Sequence, residues 1–185
     1  KYSNNVAYKF KKNLGKPNQK IVEKTYSQIK EEIEAFGTTL LKMGLENKKV
    51  AVIGNNRYEW CVTYLTVTTS NMVIVPLDKA LPDAEIKSLI KRSKADAVVY
   101  ENKYSKVFEE IKQEDTSLQY FINMDLNKEK DSILSFNELV EKGKEERKRI
   151  ASDDASTSTD TDPIAERTFS SVRTGWMDIS PVSGF

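Results

Sequence analysis

The sequence has 185 residues, of which 38% are hydrophobic and 31% are charged, a composition compatible with one ordinary domain that buries a core. The formal net charge is +1, so the composition gives no indication of nucleic acid or of an acidic partner. His is absent and Cys61 is the only cysteine, which excludes an internal disulfide and a His-dependent catalytic pair and argues against a zinc site.

The N-terminal third begins with a polar segment and continues into a helix. Residues 1–24 are polar, and we predict a lead-in with at most a short strand near 6–10. Thr25 and Gln28 have the spacing of a capping box. Apolar residues then recur at helical spacing until Gly44, which is typical of a helix end.

Two buried strands with a helix between them are predicted next. Residues 49–54 and 72–76 are short apolar runs, and Pro76 ends the second one. The segment from Tyr58 to about Ser70 between them is expected to be helical. Three of its residues are predicted to be buried: Trp60, Tyr64 and Leu65.

The alternation continues to residue 150. The later predicted elements are a helix at 83–93, a strand at 95–100, a helix at 103–113, a strand at 118–124 and a helix opened by a second capping box, Ser135 to Glu138. Short apolar strands separated by amphipathic helices predict an α/β fold with a mostly parallel sheet covered on both faces.

The composition changes abruptly near Ile150. All 23 Lys and all 12 Asn lie in residues 1–150, which carry a formal charge of +5, whereas residues 151–185 carry −4. The segment 151–163 is rich in Ser, Thr and Asp, and such segments cannot bury enough apolar area to fold. We therefore predict a domain over 1–150 and a disordered Ser/Thr/Asp-rich tail over 151–185.

The polar segments that follow predicted strands are the candidate functional positions. Gly54 is a lone glycine without the G-x-G-x-x-G spacing of a dinucleotide loop. Residues 56–60 (Asn-Arg-Tyr-Glu-Trp) lie where open α/β sheets bind ligands, so they could form a cleft wall. The simpler interpretation is a cap by Asn56, an Arg57–Glu59 pair and a Trp anchoring the helix. Asp78-Lys79 is more simply a solvated turn than an acid/base pair.

The sequence also predicts a location. A single cysteine fits a reducing compartment, and the polar start of the chain is not a signal peptide. No apolar stretch approaches the roughly 18 residues that a membrane helix requires. We expect a cytoplasmic protein without a transmembrane segment.

The ordered set of motifs resembles a known family. It comprises Thr25-Tyr26 at a helix start, the run 50–60 (VAVIGNNRYEW), the run 73–77 (VIVPL) with Leu81-Pro82 after it, and the segment 135–143 (SFNELVEKG). Together they resemble the N-terminal part of the AMP-forming acyl-CoA synthetases, which are adenylate-forming enzymes, and among these the bacterial long-chain fatty acid–CoA ligases. The resemblance covers roughly residues 6–150.

This resemblance implies ATP-dependent activation of a fatty acid to an acyl-adenylate, followed by transfer to coenzyme A, with ATP, Mg²⁺ and CoA as the family's ligands. The family continues into a phosphate loop of the type TSGTTGxPKG, but residues 156–161 (Ser-Thr-Ser-Thr-Asp-Thr) lack its glycines and lysine. No catalytic, cofactor-binding or metal-binding residue can therefore be assigned here. Two milder departures are Tyr58, where the family has Pro, and Asp78-Lys79 after the Pro-Leu pair.

Three hypotheses follow. The first is a fragment of a long-chain acyl-CoA ligase that is inactive alone, from a truncated or frame-shifted gene. The second is a non-enzymatic α/β interaction module, or a half-domain that needs a partner chain and self-associates through exposed apolar surface. The third, a Rossmann-like small-molecule domain, ranks last because the glycines are absent.

Overall fold

In the computed structural model the described residues are 2–12, 17–114 and 117–156, with side chains described to residue 153. They form a β-hairpin and a five-stranded sheet with helices on both sides. The strands are β1 (Val6–Lys12), β2 (Lys20–Thr25), β3 (Lys49–Ile53), β4 (Val73–Pro76), β5 (Ala97–Tyr100), β6 (Tyr120–Asn123) and β7 (Leu134–Ser135). The helices are α1 (Tyr26–Lys42), α2 (Tyr58–Thr69), α3 (Asp83–Ser93), α4 (Ser105–Lys112) and α5 (Phe136–Ser156).

The large sheet is parallel throughout, in the order β4-β3-β5-β6-β7. Successive side chains of a strand point to opposite faces. Val50 and Val52 accordingly join a core with α1, α2 and α5, while Ala51 and Ile53 join a second core with α3 and α4. The predicted α/β class, with a parallel sheet covered on both faces, is confirmed.

The predicted capping signals have two outcomes. Thr25 and Gln28 form a complete capping box at the start of α1. At α5 the Ser135 hydroxyl accepts a hydrogen bond from the Glu138 N–H at 3.3 Å, but the Glu138 carboxylate accepts the N–H of Glu129 at 2.8 Å instead of closing the box. Glu138 therefore ties α5 to the preceding loop.

The strand predicted near 6–10 is confirmed as part of β1, but the strands β2 and β7 were missed, and the environment of β4 was predicted wrongly. In the lead-in predicted over 1–24, β1 pairs with β2 in an antiparallel hairpin. The two-residue strand β7 is too short to leave a pattern. The run 72–76 is not fully buried, because β4 is an edge strand with Val73 50% exposed.

The predicted buried face of α2 is wrong. Tyr64 is exposed, and Trp60 and Leu65 are half-buried. The rings of Trp60 and Tyr64 stack on each other with centroids 5.5 Å apart. The face turned to the core instead carries Tyr58, Val62, Thr63, Thr66 and Val67. Threonine can be buried here because hydroxyls bond to helix carbonyls, as Thr63 does to the Glu59 oxygen at 2.8 Å.

Helices α1 and α5 cross at very short range. A Cβ added to Gly143 would lie 1.9 Å from the backbone oxygen of Ala35, so only glycine fits.

Helix α5 continues through Ile150 to Ser156, so the expected domain boundary falls inside a helix. The remainder of the tail, 157–185, lies outside the described residues, and its predicted disorder stays a prediction.

Candidate functional site

The carboxyl ends of β3, β5 and β6 meet at one edge of the sheet, where open α/β folds bind ligands. Asn55 and Arg57 follow β3, Glu101 and Asn102 follow β5, and Asp125 follows β6. The structure brings these five side chains together, although they lie far apart in the sequence. They define the candidate site, which we call the carboxyl-edge cluster.

Arg57 is the centre of the carboxyl-edge cluster. Its Nε donates to Glu59 Oε2 at 2.7 Å, as the sequence predicted, and its Nη1 donates to Asp125 Oδ1 at 2.6 Å. Burial alone would lower the pKa of the guanidinium, but the hydrogen bonds to the two carboxylates raise it above its usual value. Asp125 could not be found from the sequence, since 68 residues separate it from Arg57.

The other members of the cluster satisfy one another. The second oxygen of Asp125 accepts the backbone N–H of Asn102 at 2.7 Å. The Asn55 N–H and side-chain amide both donate to Glu101, at 3.0 to 3.1 Å. Because each charged side chain is held by hydrogen bonds from a neighbouring loop, the cluster holds three loops in fixed positions. Such an arrangement suits a cleft wall better than an acid/base pair.

The remaining residues of the 56–60 segment have structural roles. Asn56 is exposed and does not cap α2, because Arg57 occupies the N-cap position without a side-chain cap bond. Trp60 is half-buried, packs against the core between the sheet and helices α1, α2 and α5, and stacks on Tyr64. The predicted cap is therefore wrong, whereas Trp60 does contact the core, as predicted.

Tyr58 connects the cluster to the N-terminal hairpin. Its hydroxyl donates to Glu32 Oε2 at 2.8 Å, and Lys24 of β2 donates to the other oxygen of this buried carboxylate. Phe10 of β1 stacks on the Tyr58 ring with centroids 4.8 Å apart. Burial, and then the hydrogen bond to Glu32, raise the pKa of Tyr58. These contacts of Tyr58 could not be found from the sequence, because they depend on the hairpin.

The hairpin also brings Tyr8 to Cys61. Their hydrogen bond, followed by burial, raises the pKa of the Tyr8 hydroxyl to about 12.

The Asp78-Lys79 pair lies in an exposed turn after β4. Asp78 Oδ1 accepts the backbone N–H of Ala80 at 2.9 Å, and the Lys79 carbonyl accepts the Tyr104 hydroxyl at 2.8 Å. These contacts support the interpretation of the pair as a turn.

Within residues 2–12, 17–114 and 117–156, no three His, Cys, Asp or Glu side chains are placed to hold a metal ion. No helix in this part of the chain is both long and apolar enough to cross a bilayer. The absence of assigned catalytic, cofactor-binding and metal-binding residues stays a prediction, and the segment expected in the phosphate-loop zone falls almost entirely beyond Ser156.

The sequence is similar to one enzyme family and to several known proteins. The family model described as AMP-binding enzyme matches residues 1–171. Long-chain-fatty-acid–CoA ligase 5 of Mus musculus is 32% identical over 87 residues, and the mitochondrial medium-chain acyl-CoA ligase ACSF2 of Homo sapiens is 25% identical over 84 residues. Each alignment covers 45% of this chain but only 13% and 14% of the two relatives, so the chain spans a small part of their length.

Solved structures show the same fold. The anthranilate CoA ligase AuaEII in complex with anthranoyl-AMP superposes with a TM-score of 0.61 at 17% identity, covering 65% of this chain and 23% of that one. The luciferase-like enzyme of the mealworm Zophobas morio has a TM-score of 0.58 at 19% identity, covering 64% and 28%. At these identities the likeness concerns the fold alone.

Proposed function

Because this chain belongs to the AMP-binding enzyme family, we propose that it is part of a fatty acid–CoA ligase, in which ATP activates the acid to an acyl-adenylate and the acyl group passes to CoA. The observation that carries the proposal is the family match over residues 1–171, together with 32% identity to a long-chain-fatty-acid–CoA ligase. The fatty acid substrate, ATP, Mg²⁺ and CoA belong to the whole enzyme.

The contribution of this part of the enzyme is structural. The carboxyl-edge cluster fixes the loops after β3, β5 and β6, where a ligand of an open α/β sheet binds. Phosphate chemistry further requires backbone amides of a glycine-rich loop and a metal ion that neutralise charge on the reacting phosphate. Residues 156–161 lack the glycines for such a loop. We therefore propose that the 185-residue chain alone does not catalyse adenylation.

ATP–pyrophosphate exchange tests this proposal. The purified chain is incubated with ATP, Mg²⁺, labelled pyrophosphate and fatty acids of several lengths, beside a complete acyl-CoA ligase as the positive control. We expect exchange with the complete enzyme and background exchange with this chain. Robust exchange by the chain would show that it carries a full adenylation site.

A second candidate is a half-domain that needs a partner chain. Large apolar side chains exposed on the hairpin and on the edge strand favour it: Val6 at 51%, Ile21 at 58% and Val73 at 50%. The same purified sample discriminates the candidates. A half-domain should bind hydrophobic dyes and elute as concentration-dependent oligomers, whereas a self-sufficient module should elute as one species and unfold cooperatively.

A further inference from the structure

The N-terminal hairpin has one face turned to the core and one face turned away from it. In β1 and β2 the half-buried residues Tyr8, Phe10 and Val22 alternate with exposed residues, because successive side chains of a strand point to opposite faces. Ile21 belongs to the exposed series and leaves 58% of its surface uncovered. Its cross-strand partner is Lys11, which is also exposed. The outer face of the hairpin therefore presents an aliphatic side chain beside a cation.

The turn end of the hairpin, opposite the start of α1, carries a like-charge pair. Lys12 and Lys20 lie directly across from each other on β1 and β2, and both are exposed. Like charges in this position destabilise a pair of strands. Lys9 is neutralised by Glu23 at 2.7 Å, but no such ion pair joins Lys11, Lys12 or Lys20 to another described residue. These three lysines and Ile21 form a surface that we call the turn-end patch.

An anionic lipid surface matches this combination of charge and apolar area. Its negative potential attracts every lysine within a Debye length, which is about 8 Å at physiological ionic strength. An exposed aliphatic side chain gains free energy where the headgroups meet the acyl chains.

Two other partners fit the turn-end patch less well. A nucleic acid strand favours aromatic side chains on which its bases stack, whereas the apolar residue of the patch is an isoleucine. A second copy of the chain docked patch to patch would bring like charges together, which opposes association.

We propose that the turn-end patch docks the protein on anionic lipid headgroups, with the three lysines at the headgroup anions and Ile21 at the acyl boundary. The contact is peripheral and reversible, because it uses three charges and one aliphatic side chain. Headgroup anions also offset the repulsion between Lys12 and Lys20. The patch shares no residue with the carboxyl-edge cluster, so the proposal is independent of the ligase proposal.

Co-sedimentation of the 185-residue chain with lipid vesicles tests the proposal. The vesicles contain phosphatidylserine and phosphatidylcholine in equal parts, and vesicles of phosphatidylcholine alone are the reference. We expect binding to the anionic vesicles that weakens as the ionic strength rises from about 0.1 M to about 1 M, where the Debye length falls to about 3 Å. The combined variant Lys11→Gln, Lys12→Gln and Lys20→Gln should bind about a hundredfold more weakly, since each lysine contributes about fivefold. Ile21→Gln should weaken binding about fivefold.

The matched control combines Lys91→Gln, Lys106→Gln and Lys148→Gln, which remove the same charge from exposed positions on α3, α4 and α5. It should keep the affinity of the parent chain for the anionic vesicles. Urea unfolding shows that each variant is folded, and Lys12→Gln alone should raise the urea midpoint because it removes the like-charge pair. Equal binding to anionic and neutral vesicles, or an equal loss in the two triple variants, would overturn the proposal.

A fluorescent single-stranded oligonucleotide distinguishes a lipid surface from polyanions in general. Fluorescence anisotropy should show weaker binding of the oligonucleotide than of the anionic vesicles at the same ionic strength, and Ile21→Gln should leave it unchanged. If the chain binds the oligonucleotide as tightly as the vesicles, and the hairpin triple variant loses both equally, the patch responds to charge alone and the lipid proposal fails.

Discussion

The two helical layers on either side of the sheet are held together in different ways. In the α1–α2–α5 layer, contacts join segments that are 100 residues or more apart in the sequence: Arg147 Nη2 donates to Glu34 at 2.7 Å, and the Thr39 hydroxyl donates to the Leu139 carbonyl at 2.8 Å. In the α3–α4 layer, the ring of Phe108 packs on Tyr100 with centroids 4.6 Å apart, and the cross-helix ion pairs are on the surface.

This difference shows which layer depends on specific geometry. An apolar layer built from neighbouring segments tolerates small shifts, because many side-chain arrangements fill the same volume. A layer that buries charged and backbone groups from distant segments loses hydrogen bonds when either partner moves. We therefore expect single substitutions without a large volume change to destabilise the α1–α2–α5 layer more than the α3–α4 layer.

The largest effect is expected at the helix crossing. Gly143→Ala places a methyl group 1.9 Å from the Ala35 backbone oxygen, which cannot rotate away. Separating the two helices should cost about 3 kcal/mol of unfolding free energy, the upper range for overpacking. Urea unfolding followed by circular dichroism measures the loss.

Gly54→Ala is the matched control for this substitution. Gly54 is also buried, but an added Cβ would lie 3.5 Å from the Glu101 Cβ, which is ordinary van der Waals contact. The unfolding free energy of this variant should stay within about 0.5 kcal/mol of that of the parent chain. Equal losses in the two variants would mean that α1 and α5 do not cross at this range.

A smaller effect is expected from removing one buried hydroxyl. Tyr58→Phe deprives the buried Glu32 carboxylate of a hydrogen bond and should cost about 2 kcal/mol, as for bonds to charged groups. The control in the other layer is Tyr104→Phe. The Tyr104 hydroxyl donates to the backbone carbonyl of Lys79, which is neutral, so its removal should lower the unfolding free energy by about 1 kcal/mol. If Tyr104→Phe proves the more destabilising in urea, the proposed difference between the layers fails.

Features set by local sequence could be predicted, and features set by distant pairing could not. The Thr25–Gln28 capping box and the alternation of strands and helices depend on neighbours along the chain, and both are confirmed. The pairing of β1 with β2 was missed because charged residues interrupt the apolar positions of β2, so this strand shows no continuous apolar run. The burial of Tyr58 depends on this hairpin and was missed with it.

The candidate site divides in the same way. The Arg57–Glu59 pair is local, two residues apart, and was predicted. The Asp125 partner follows β6 and is brought to Arg57 only by the order of the strands in the sheet. The predicted buried face of α2 was wrong because Tyr64 was assumed to face the core, whereas Tyr58 and a set of valines and threonines occupy that face.

The smallest effect concerns a surface ion cluster that joins α1 to α5. Hydrogen bonds from Arg149 and then from Lys42 lower the pKa of Glu146 to about 2. A glutamate in an unfolded chain has a pKa of about 4.3, so the stabilisation is complete above that pH and is lost as the pH falls towards 2. Glu146→Gln should therefore lower the urea midpoint near neutral pH, and the difference from the parent chain should shrink as the pH falls from about 5 to about 2.

Glu145→Gln is the control for this pH dependence, since Glu145 is exposed on the same helix. Its urea midpoint should follow that of the parent chain across the whole pH range. A pH-independent difference for Glu146→Gln would mean that the carboxylate is not held by these cations. In that case the α1–α5 contact would depend on the Gly143 crossing and the Arg147–Glu34 pair.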